Sequence, residues 1–416
     1  MSDGQHSAGM RVAVVQRLTM AHGVRGGMEA QAQALTLGLR DRGHDVRTLT
    51  TPLTARDAIS NDPMPTWYVA PGSYRRYQRG WWQAIRAELG RQHAIKPFDV
   101  VVSHSAGALG IVEWITQDLQ VPLVVMLHGT PLGELHNHLR AAWSPRGMYR
   151  LGRLLSQLPL HLVLWRKSVP SVARWIVPSP HLARAWRREA GAPAERITII
   201  PHGIDTTRFR PDALLRSAQR RTLELTERQP LVVAAGRLEP EKGFRVALEA
   251  FAGVRAAFPQ ARLLIAGAGS DATHLARRAL AVGGTRLTGY LTRDELARLL
   301  AAADVFVMPS LCAEAFPLSI IEAMAAGLAT IASDGGAARH AITPGHDGEL
   351  VPPGDAAALT AALRTLLARP ERRATLAAAA RATALTRFSH QAMIDATEAL
   401  LAATVAASGR LAGIGE

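Results

Sequence analysis

The sequence is poor in the residues and runs that mark several protein classes. Its one cysteine, Cys312 among 416 residues, excludes an intrachain disulfide and a cysteine-based zinc cluster. No stretch reaches the roughly 18 uninterrupted apolar residues of a transmembrane helix, because Arg, Lys, His and Pro interrupt the best candidate, residues 151–169. Residues 1–10 show no signal-peptide pattern. We expect a cytoplasmic protein. Its expected location includes peripheral contact with the inner face of the membrane.

Three motifs of nucleotide and acyl chemistry are also absent. The chain has no G-x-x-x-x-G-K-[ST] loop and no G-x-S-x-G turn, which disfavours a P-loop nucleotidase and an α/β serine hydrolase. No two aspartates stand two positions apart, so the D-x-D clamp for a metal and a nucleotide is missing. We expect neither a metal ion nor an organic cofactor.

Lysine is scarce, and nearly all positive charge comes from arginine. The chain has 48 Arg and Lys against 34 Asp and Glu, a net charge of +14. The lysines are Lys96, Lys167 and Lys242. A lysine in a candidate site therefore stands out.

The positive charge is concentrated in residues 140–188, here called the basic stretch. It contains ten Arg or Lys, no Asp or Glu, and four tryptophans, Trp143, Trp165, Trp175 and Trp186. Such a stretch attracts phosphates, acidic glycans or anionic lipid headgroups, and Trp with Arg on an amphipathic helix suits a membrane interface. The alternative is that the tryptophans lie in the core and the arginines form a solvated face. No nucleic-acid-binding module accompanies the stretch, so we expect no nucleic acid partner.

The length and the apolar pattern predict two α/β domains. At 416 residues the chain exceeds the roughly 250 to 300 residues at which a single core stops growing. Short apolar runs alternate with longer helical patterns, which is typical of βαβ units and parallel sheets. The runs are residues 11–15, 45–50, 99–103, 122–127 and 174–177 in the first half, and 197–200, 231–235, 262–266, 286–288, 304–308 and 329–332 in the second. We predict two Rossmann-like domains that face a central cleft.

Turn residues predict the domain boundary. A Pro-Ser-Pro turn and a Gly-Ala-Pro connector lie between residues 178 and 193. We therefore expect a first domain of residues 1–178 and a second of residues 179–388. Residues 389–416 are expected to form a helix that crosses back to the first domain and frays at its end.

Ligands of open α/β sheets bind beyond the carboxyl ends of the strands. After the run 231–235 the chain reads GRLEPEKG, from Gly236 to Gly243, and a helix begins near there. The glycines permit close backbone approach, the helix start favours an anion, and Arg237 offers two parallel donors. Together with Lys242, this loop predicts a diphosphate site. The alternative is a solvated charged turn.

Two carboxylates follow the run 304–308. If a helix begins near Pro317, Glu314 lies in the loop before it and Glu322 points back from about the second turn. Carboxylates so placed can accept hydrogen bonds from vicinal hydroxyls, such as those of a sugar and a ribose. Paired carboxylates alone are a weak signal, because many surface helices carry them.

Two histidines and a glycine pair mark further strand ends. His128 directly follows the run 122–127 and so faces the expected cleft, although an isolated histidine of this kind is more often structural. His104 has the same position after the run 99–103, and we interpret it as structural. Gly26-Gly27-Met28-Glu29 precedes the first long helix, where glycines let backbone N–H groups approach a phosphate or sugar.

In their order along the chain, these motifs resemble those of the retaining glycosyltransferases of GT-B architecture, family 4. The matching pieces are Gly26-Gly27-x-Glu29, Leu127-His128-Gly129-Thr130, Ile200-Pro201-His202-Gly203-Ile204-Asp205, Gly236-Arg237 with Lys242-Gly243, and Glu314 to Glu322 followed by Ala323-Met324-Ala325-Ala326-Gly327. They span roughly residues 11–390. The ordered combination is far more specific than any single piece.

The resemblance implies a role for each matching residue. Arg237 and Lys242 would neutralise the donor diphosphate, Glu322 would bind the ribose, and Glu314 would bind hydroxyls of the donor sugar. His128 would lie near the reacting face of that sugar. The other donor-binding residues would be Gly27, Gly236, Phe316, Pro317 and Leu318.

Three residues depart from the family pattern. His202 stands where the family usually has Asn, and Ala315 and Pro317 replace glycines often found after the first Glu. These changes could reshape the sugar pocket. Of all the properties that the resemblance implies, the identity of the donor sugar is therefore the one it supports least.

The resemblance implies an enzyme that moves a hexosyl or N-acetylhexosaminyl unit from a nucleotide-sugar to a hydroxyl acceptor, in bacterial glycan, glycolipid or natural-product biosynthesis. A UDP-sugar is the favoured donor and GDP-mannose the alternative. The first domain would bind the acceptor, and the second would bind the nucleotide-sugar. A lipid-linked acceptor would bring the basic stretch to an anionic membrane.

Three other classes fit less well. A nucleotide-sugar epimerase on the same scaffold would turn over donor without an acceptor, whereas the Arg237 and Lys242 loop with the spaced glutamates favours transfer. A phosphorylase-like enzyme would need a lysine for a pyridoxal cofactor, and one of the three lysines is already assigned to phosphate. A carbohydrate-binding protein without activity would not need the phosphate cations together with His128.

Overall fold

A computed structural model of the chain describes residues 9–22, 27–53, 64–69, 79–140 and 145–409. The chain divides into two compact units, and each is built on its own parallel sheet. The first unit comprises Met1–Pro131, Gln157–Gly203 and His390–Glu416, and the second comprises Leu132–Ser156 and Ile204–Ser389. The prediction of two Rossmann-like α/β domains is confirmed.

The first unit contains a seven-stranded sheet in the order β3-β2-β1-β4-β5-β6-β7. Its strands are β1 (Arg11–Val15), β2 (Asp45–Thr50), β3 (Thr66–Tyr68), β4 (Val100–His104), β5 (Leu123–Met126), β6 (Arg174–Val177) and β7 (Ile197–Ile199). The helices up to Ala190 are α1 (Gly27–Asp41), α2 (Arg79–Ile95), α3 (Pro131–Arg140), α4 (Pro145–Ser168) and α5 (Pro180–Ala190). Of these, α1, α2 and α5 lie in the first unit, α3 belongs to the second unit from Leu132 onward, and α4 is divided between the units after Ser156. Strands β1 and β4 are buried along their whole length. Burial on both faces explains why they read as continuous apolar runs.

The second unit contains a six-stranded sheet in the order β10-β9-β8-β11-β12-β13. Its strands are β8 (Leu231–Ala235), β9 (Arg262–Ala266), β10 (Thr285–Gly289), β11 (Val305–Met308), β12 (Ala329–Ser333) and β13 (Glu349–Val351). Its helices are α6 (Ala213–Thr222), α7 (Phe244–Ala257), α8 (Ala272–Val282), α9 (Arg293–Ala302), α10 (Leu318–Ala325), α11 (Ala338–Ala341), α12 (Ala356–Ala368) and α13 (Pro370–Arg387).

The boundary differs from the predicted one at residue 178. The chain passes from the first unit to the second between Gly203 and Ile204. The reason is that β7 pairs in parallel with β6, with Trp175 opposite Ile197, so the run 197–200 belongs to the first sheet. The Pro-Ser-Pro turn begins helix α5, because the Ser179 side chain caps the helix by accepting a hydrogen bond from the backbone N–H of Leu182.

The last helix, α14 (His390–Ala407), lies in the first unit. Its buried side chains, among them Leu401 and Val405, share a core with Leu35 and Leu39 of α1. The helices approach so closely at Gly38 that an added Cβ would lie 2.1 Å from Ile394 Cδ1. The last helix is therefore part of the core of the first unit.

Candidate active site

In the second unit, the loop after β8 packs against the turn after β11. Gly236 and Arg237 directly follow β8, and a 3-10 turn, Pro240–Lys242, leads into α7. Gly243 has a φ of +68°, and a Cβ at this position would lie 1.9 Å from the carbonyl oxygen of Pro309. Only glycine fits both the backbone angle and the close approach. The N–H of Leu311 donates to the carbonyl oxygen of Glu241 at 2.8 Å, which joins the two loops.

Lys242 and Glu314, predicted to bind different parts of a donor, form an ion pair. The distance from Lys242 Nζ to Glu314 Oε1 is 2.5 Å, and the two side chains are 16% and 14% exposed. Ser310 Oγ donates to the same carboxylate oxygen at 2.8 Å. Cys312 lies beside them, and burial together with the Glu314 carboxylate raises the pKa of its thiol.

Arg237 is the exposed cation of this site. Its side chain is 69% exposed, and its Nη2 lies 3.9 Å from Glu241 Oε1. Glu241 is buried, and its Oε2 has no hydrogen-bond partner among the described residues. The contact between Arg237 and Glu241 is therefore a long one, and the exposed guanidinium of Arg237 is open to an anionic ligand.

Glu322 is a buried carboxylate on α10, and it forms an ion pair with Arg293. Burial raises the pKa of the Glu322 carboxyl, and the Arg293 guanidinium opposes this rise. Sequence reasoning missed Arg293. The signal that could have found it is its position at the start of α9, a few residues beyond the carboxyl end of β10.

Phe316, Pro317 and Leu318, all predicted to bind the donor, lie at the start of α10. Pro317 is the N-cap residue of α10 and Leu318 is its first residue. The ring of Phe316 is buried and packs edge-on against Phe388, with ring centroids 5.8 Å apart. The ring of Phe316 therefore belongs to the core, and the donor-binding role of Phe316 stays a prediction.

In the first unit, three histidines form a row. His104 ends β4, His128 follows β5, and His202 follows β7. The distance from His104 Nδ1 to His128 Nε2 is 3.0 Å, and that from His128 Nδ1 to His202 Nε2 is 3.4 Å. Neighbouring rings are nearly parallel, at 15° and 22°. His104, interpreted as structural, is thus the immediate neighbour of the candidate residue His128.

The three imidazoles are neutral at physiological pH. Burial lowers the pKa of His104 to about 4. Burial, with repulsion from a neighbouring imidazolium, lowers the pKa of His202 to about 3 and that of His128 well below its usual value. The histidine row therefore carries no charge under ordinary conditions.

One glycine of the pair Gly26-Gly27 lies at the start of helix α1. Gly27 is the first residue of that helix, and Gly26 lies outside the described residues. Glu29 is buried in the first turn, and this burial raises the pKa of its carboxyl, an effect that Arg17 and His22 oppose.

The basic stretch divides into a buried and an exposed part. Trp165, Trp175 and Trp186 are buried and pack on one another, with ring centroids 5.0 to 5.7 Å apart. These three tryptophans therefore lie in the core, which agrees with the alternative given for the basic stretch; Trp143 lies outside the described residues. No helix in the described ranges is long and apolar enough to cross a membrane.

Two family models match the chain in succession. The model described as Glycosyltransferase Family 4 matches residues 25–208, and the model described as Glycosyl transferases group 1 matches residues 216–383. Together they span most of the chain.

Curated relatives match at moderate identity. A phosphatidyl-myo-inositol mannosyltransferase of Mycobacterium leprae is 29% identical over 355 residues, which cover 83% of this chain and 84% of the relative. A glycogen synthase of Mycobacterium tuberculosis is 29% identical over 408 residues, covering 90% of each chain. A GDP-mannose-dependent monoacylated alpha-(1-6)-phosphatidylinositol monomannoside mannosyltransferase of Corynebacterium glutamicum is 35% identical over 202 residues, covering 47% of this chain and 53% of the relative.

Solved structures match over nearly the whole chain. Anabaena Alr3699/HepE, in complex with UDP and glucose, superposes with a TM-score of 0.74 at 20% identity, over 95% of this chain and 100% of the other. A sucrose-phosphate synthase from Thermosynechococcus elongatus gives 0.76 at 22% identity, over 96% and 100%. These likenesses show the fold.

The fold and the placement of the motifs define a GT-B glycosyltransferase. The chain belongs to glycosyltransferase family 4, the glycosyl transferases group 1.

Proposed function

We propose that this glycosyltransferase moves a hexosyl or N-acetylhexosaminyl unit from a nucleoside-diphosphate sugar to a hydroxyl acceptor, with retention of the anomeric configuration. The observation that carries the proposal is the pair of cations at the β8 loop. Arg237 is exposed, and Lys242 is fixed by Glu314. A lysine ammonium has three donors, so its pairing with Glu314 leaves donors for a phosphate.

The cations act on the charge that develops during transfer. Departure of the nucleoside diphosphate leaves an oxocarbenium-like sugar and increases the negative charge on the phosphates, so fixed positive charge there lowers the barrier. A cation about 4 Å away in a partly screened site contributes about 4 kcal/mol, or roughly a thousandfold in rate. Arg237 and Lys242 would supply this charge without a metal ion. The leaving phosphate would accept the proton of the acceptor hydroxyl as it attacks from the same face.

A UDP-sugar is the proposed donor, and GDP-mannose is the second candidate. One observation supports GDP-mannose as the second candidate: two relatives of this chain are named as GDP-mannose-dependent mannosyltransferases. Thermal melting with UDP, GDP, ADP and their sugar conjugates separates the two. A ligand at a hundred times its dissociation constant adds about 2.7 kcal/mol of stability. A shift with uridine compounds alone supports the first donor, and a shift with guanosine compounds alone supports the second.

Transfer itself is tested with the donor that shifts the melting curve. Release of the nucleoside diphosphate only in the presence of a hydroxyl acceptor supports transfer. Conversion of the donor sugar into an isomer without any acceptor would instead identify an epimerase. The anomeric proton coupling in the product's NMR spectrum distinguishes retention from inversion.

An anionic membrane surface is the proposed site of the acceptor. The exposed basic residues at the end of α4 and on α5, here called the basic surface, are Arg166, Lys167, Arg184, Arg187 and Arg188. None of them forms a salt bridge with a carboxylate in the described ranges. Val163 of α4 is 51% exposed, which adds an apolar contact. Clustered cations without counter-ions favour anionic headgroups.

Vesicle sedimentation tests the basic surface. The chain should bind phosphatidylglycerol vesicles at low salt and should bind neither phosphatidylcholine vesicles nor either kind at high salt. Replacing Arg184, Arg187 and Arg188 with Glu should abolish the binding. The matched control replaces three exposed arginines of the second unit, Arg221, Arg277 and Arg278, with Glu. Equal binding by the two variants, or no binding by the unmodified chain, would overturn the membrane proposal.

A further inference from the structure

The row of His104, His128 and His202 lies inside the first unit, and each ring comes from a different strand end. We propose that His104 and His202 are positioning residues, which together hold the ring plane of His128 and keep its proton on Nδ1. The proposal rests on the proposed function to the extent that His128 lies near the donor sugar. The arrangement of the row itself does not depend on that function.

The position of the protons follows from one buried nitrogen. A neutral imidazole has one donor and one acceptor nitrogen, so the row must be polarised in one direction or the other. If the rings donated through Nε2, His104 would carry an N–H at its Nε2, which is buried without a hydrogen-bond partner among the described residues. A buried N–H without a partner carries a desolvation cost and is rare.

The opposite direction avoids this cost. His104 Nδ1–H then donates to His128 Nε2, and His128 Nδ1–H donates to His202 Nε2. All three rings carry the proton on Nδ1. Both nitrogens of His128 are then occupied within the protein.

Long-range contacts fix the backbone on both sides of His128. Gly203, next to His202, is held by the amide of Gln31 on α1: Gln31 Nε2 donates to the Gly203 carbonyl at 2.8 Å, and the Gly203 N–H donates to Gln31 Oε1 at 3.1 Å. On the other side, His104 stands opposite Met126 in the β4–β5 register. The outer rings are therefore attached to rigid backbone, which is what a positioning residue needs.

The charges that act on His128 are those of its two neighbours. Besides burial, the described residues that contribute to the lowered pKa of His128 are His202 and His104. The ring is partly exposed, but its nitrogens are not open to a ligand. His128 would thus act on a sugar through the shape and fixed dipole of a neutral ring, and not as a proton donor or acceptor.

The first test reads the tautomers directly and needs no enzyme assay. Long-range ¹H–¹⁵N correlation spectra of histidine-labelled protein show which ring nitrogen carries the proton. The variants His104→Asn, His128→Asn and His202→Asn assign the signals. We expect all three rings in the Nδ1–H form, without titration between about pH 5.5 and 8.5. An Nε2–H signal from His128, or its titration in this range, would overturn the proposal.

The second test measures what the position of His128 contributes to transfer. His202→Phe keeps an aromatic ring but removes the acceptor for His128 Nδ1–H, and should lower kcat about tenfold with little change in the donor KM. His202→Asn restores an acceptor oxygen and should recover most of the lost turnover. The matched control is His274→Asn, at an exposed histidine of α8.

The outcomes separate this proposal from the proposed function. Full turnover in a folded His202→Phe variant would show that His202 does not position His128, and the glycosyltransferase assignment would stand. If the unmodified chain transferred no sugar, the proposed function would fail. The spectra would still show whether the three histidines carry their protons on Nδ1. If His202→Phe did not fold, two other measurements would decide whether His202 positions His128. These are the wild-type spectra and the pH dependence of kcat in His202→Asn.

Discussion

The Lys242 ammonium and the Glu314 carboxylate form an ion pair across two loops of the second unit, 72 positions apart along the chain. The family pattern assigns the first to phosphate and the second to sugar hydroxyls. Their pairing means that each charge is oriented by the other before a ligand arrives. In the proposed function, such preorganisation would reduce the reorganisation that the site must undergo during transfer.

Replacing either cation of this site should remove most of the turnover. Lys242→Ala and Arg237→Ala should each lower kcat at least a hundredfold, because each removes charge that stabilises the leaving diphosphate. Steady-state kinetics with the donor identified by melting measures the loss. The matched control is Arg278→Ala, at an exposed arginine of the same unit. Near-normal turnover in both site variants would contradict the assignment of this loop.

Arg293 should support donor binding through Glu322. Arg293→Ala leaves a buried carboxylate without its partner, so the donor KM should rise about tenfold. Arg293→Lys keeps the charge and should recover part of the affinity. An unchanged KM in Arg293→Ala would show that the ion pair has no role in donor binding.

The same pair predicts how donor binding depends on pH. Burial raises the pKa of the Glu322 carboxyl, so it takes up a proton at a higher pH than an exposed glutamate as the pH falls. The protonated form is a poorer acceptor for ribose hydroxyls, and the donor KM should therefore rise on the acid side. Arg293→Ala removes a cause that lowers this pKa, so the rise should begin at higher pH. KM measured against pH in both proteins checks this order.

The apolar runs predict eleven of the strands and miss the three-residue edge strands β3 and β13. The runs 11–15, 231–235 and 262–266 coincide with β1, β8 and β9, because strands covered on both faces are apolar throughout. The three-residue strand β3 is half-buried at the edge of its sheet, and no predicted run covers it. The pattern also does not encode which sheet β7 joins, since that depends on pairing with β6.

The motifs predict which residues lie at strand ends and do not predict their partners. Gly236, Arg237 and Lys242 follow β8 as expected. The pairing of Glu322 with Arg293 joins residues 29 positions apart, and the row through His128 joins strand ends up to 74 positions apart. Such contacts arise from the sheet order, which local sequence patterns do not determine.

Cys312 should react slowly with thiol reagents in the folded protein. It is buried, and burial together with the nearby Glu314 carboxylate raises the pKa of its thiol, so little thiolate is present at neutral pH. Because it is the only cysteine, the rate of alkylation reports on this position alone. Glu314→Gln removes the carboxylate and should increase the rate. A folded protein that reacts as fast as the unfolded chain would contradict this account.

The last helix should contribute to the stability of the first unit. Leu401 of α14 is fully buried in the core that includes Leu35 and Leu39, so Leu401→Ala leaves a cavity and should cost about 2 to 5 kcal/mol. The matched control is Leu385→Ala, because Leu385 on α13 is 42% exposed and loses little contact. Urea unfolding followed by circular dichroism measures both variants, with each transition fitted separately because a two-unit chain need not unfold in one step. A shift of less than about 0.5 kcal/mol for Leu401→Ala, the size of an ordinary surface change, would show that α14 is not part of this core.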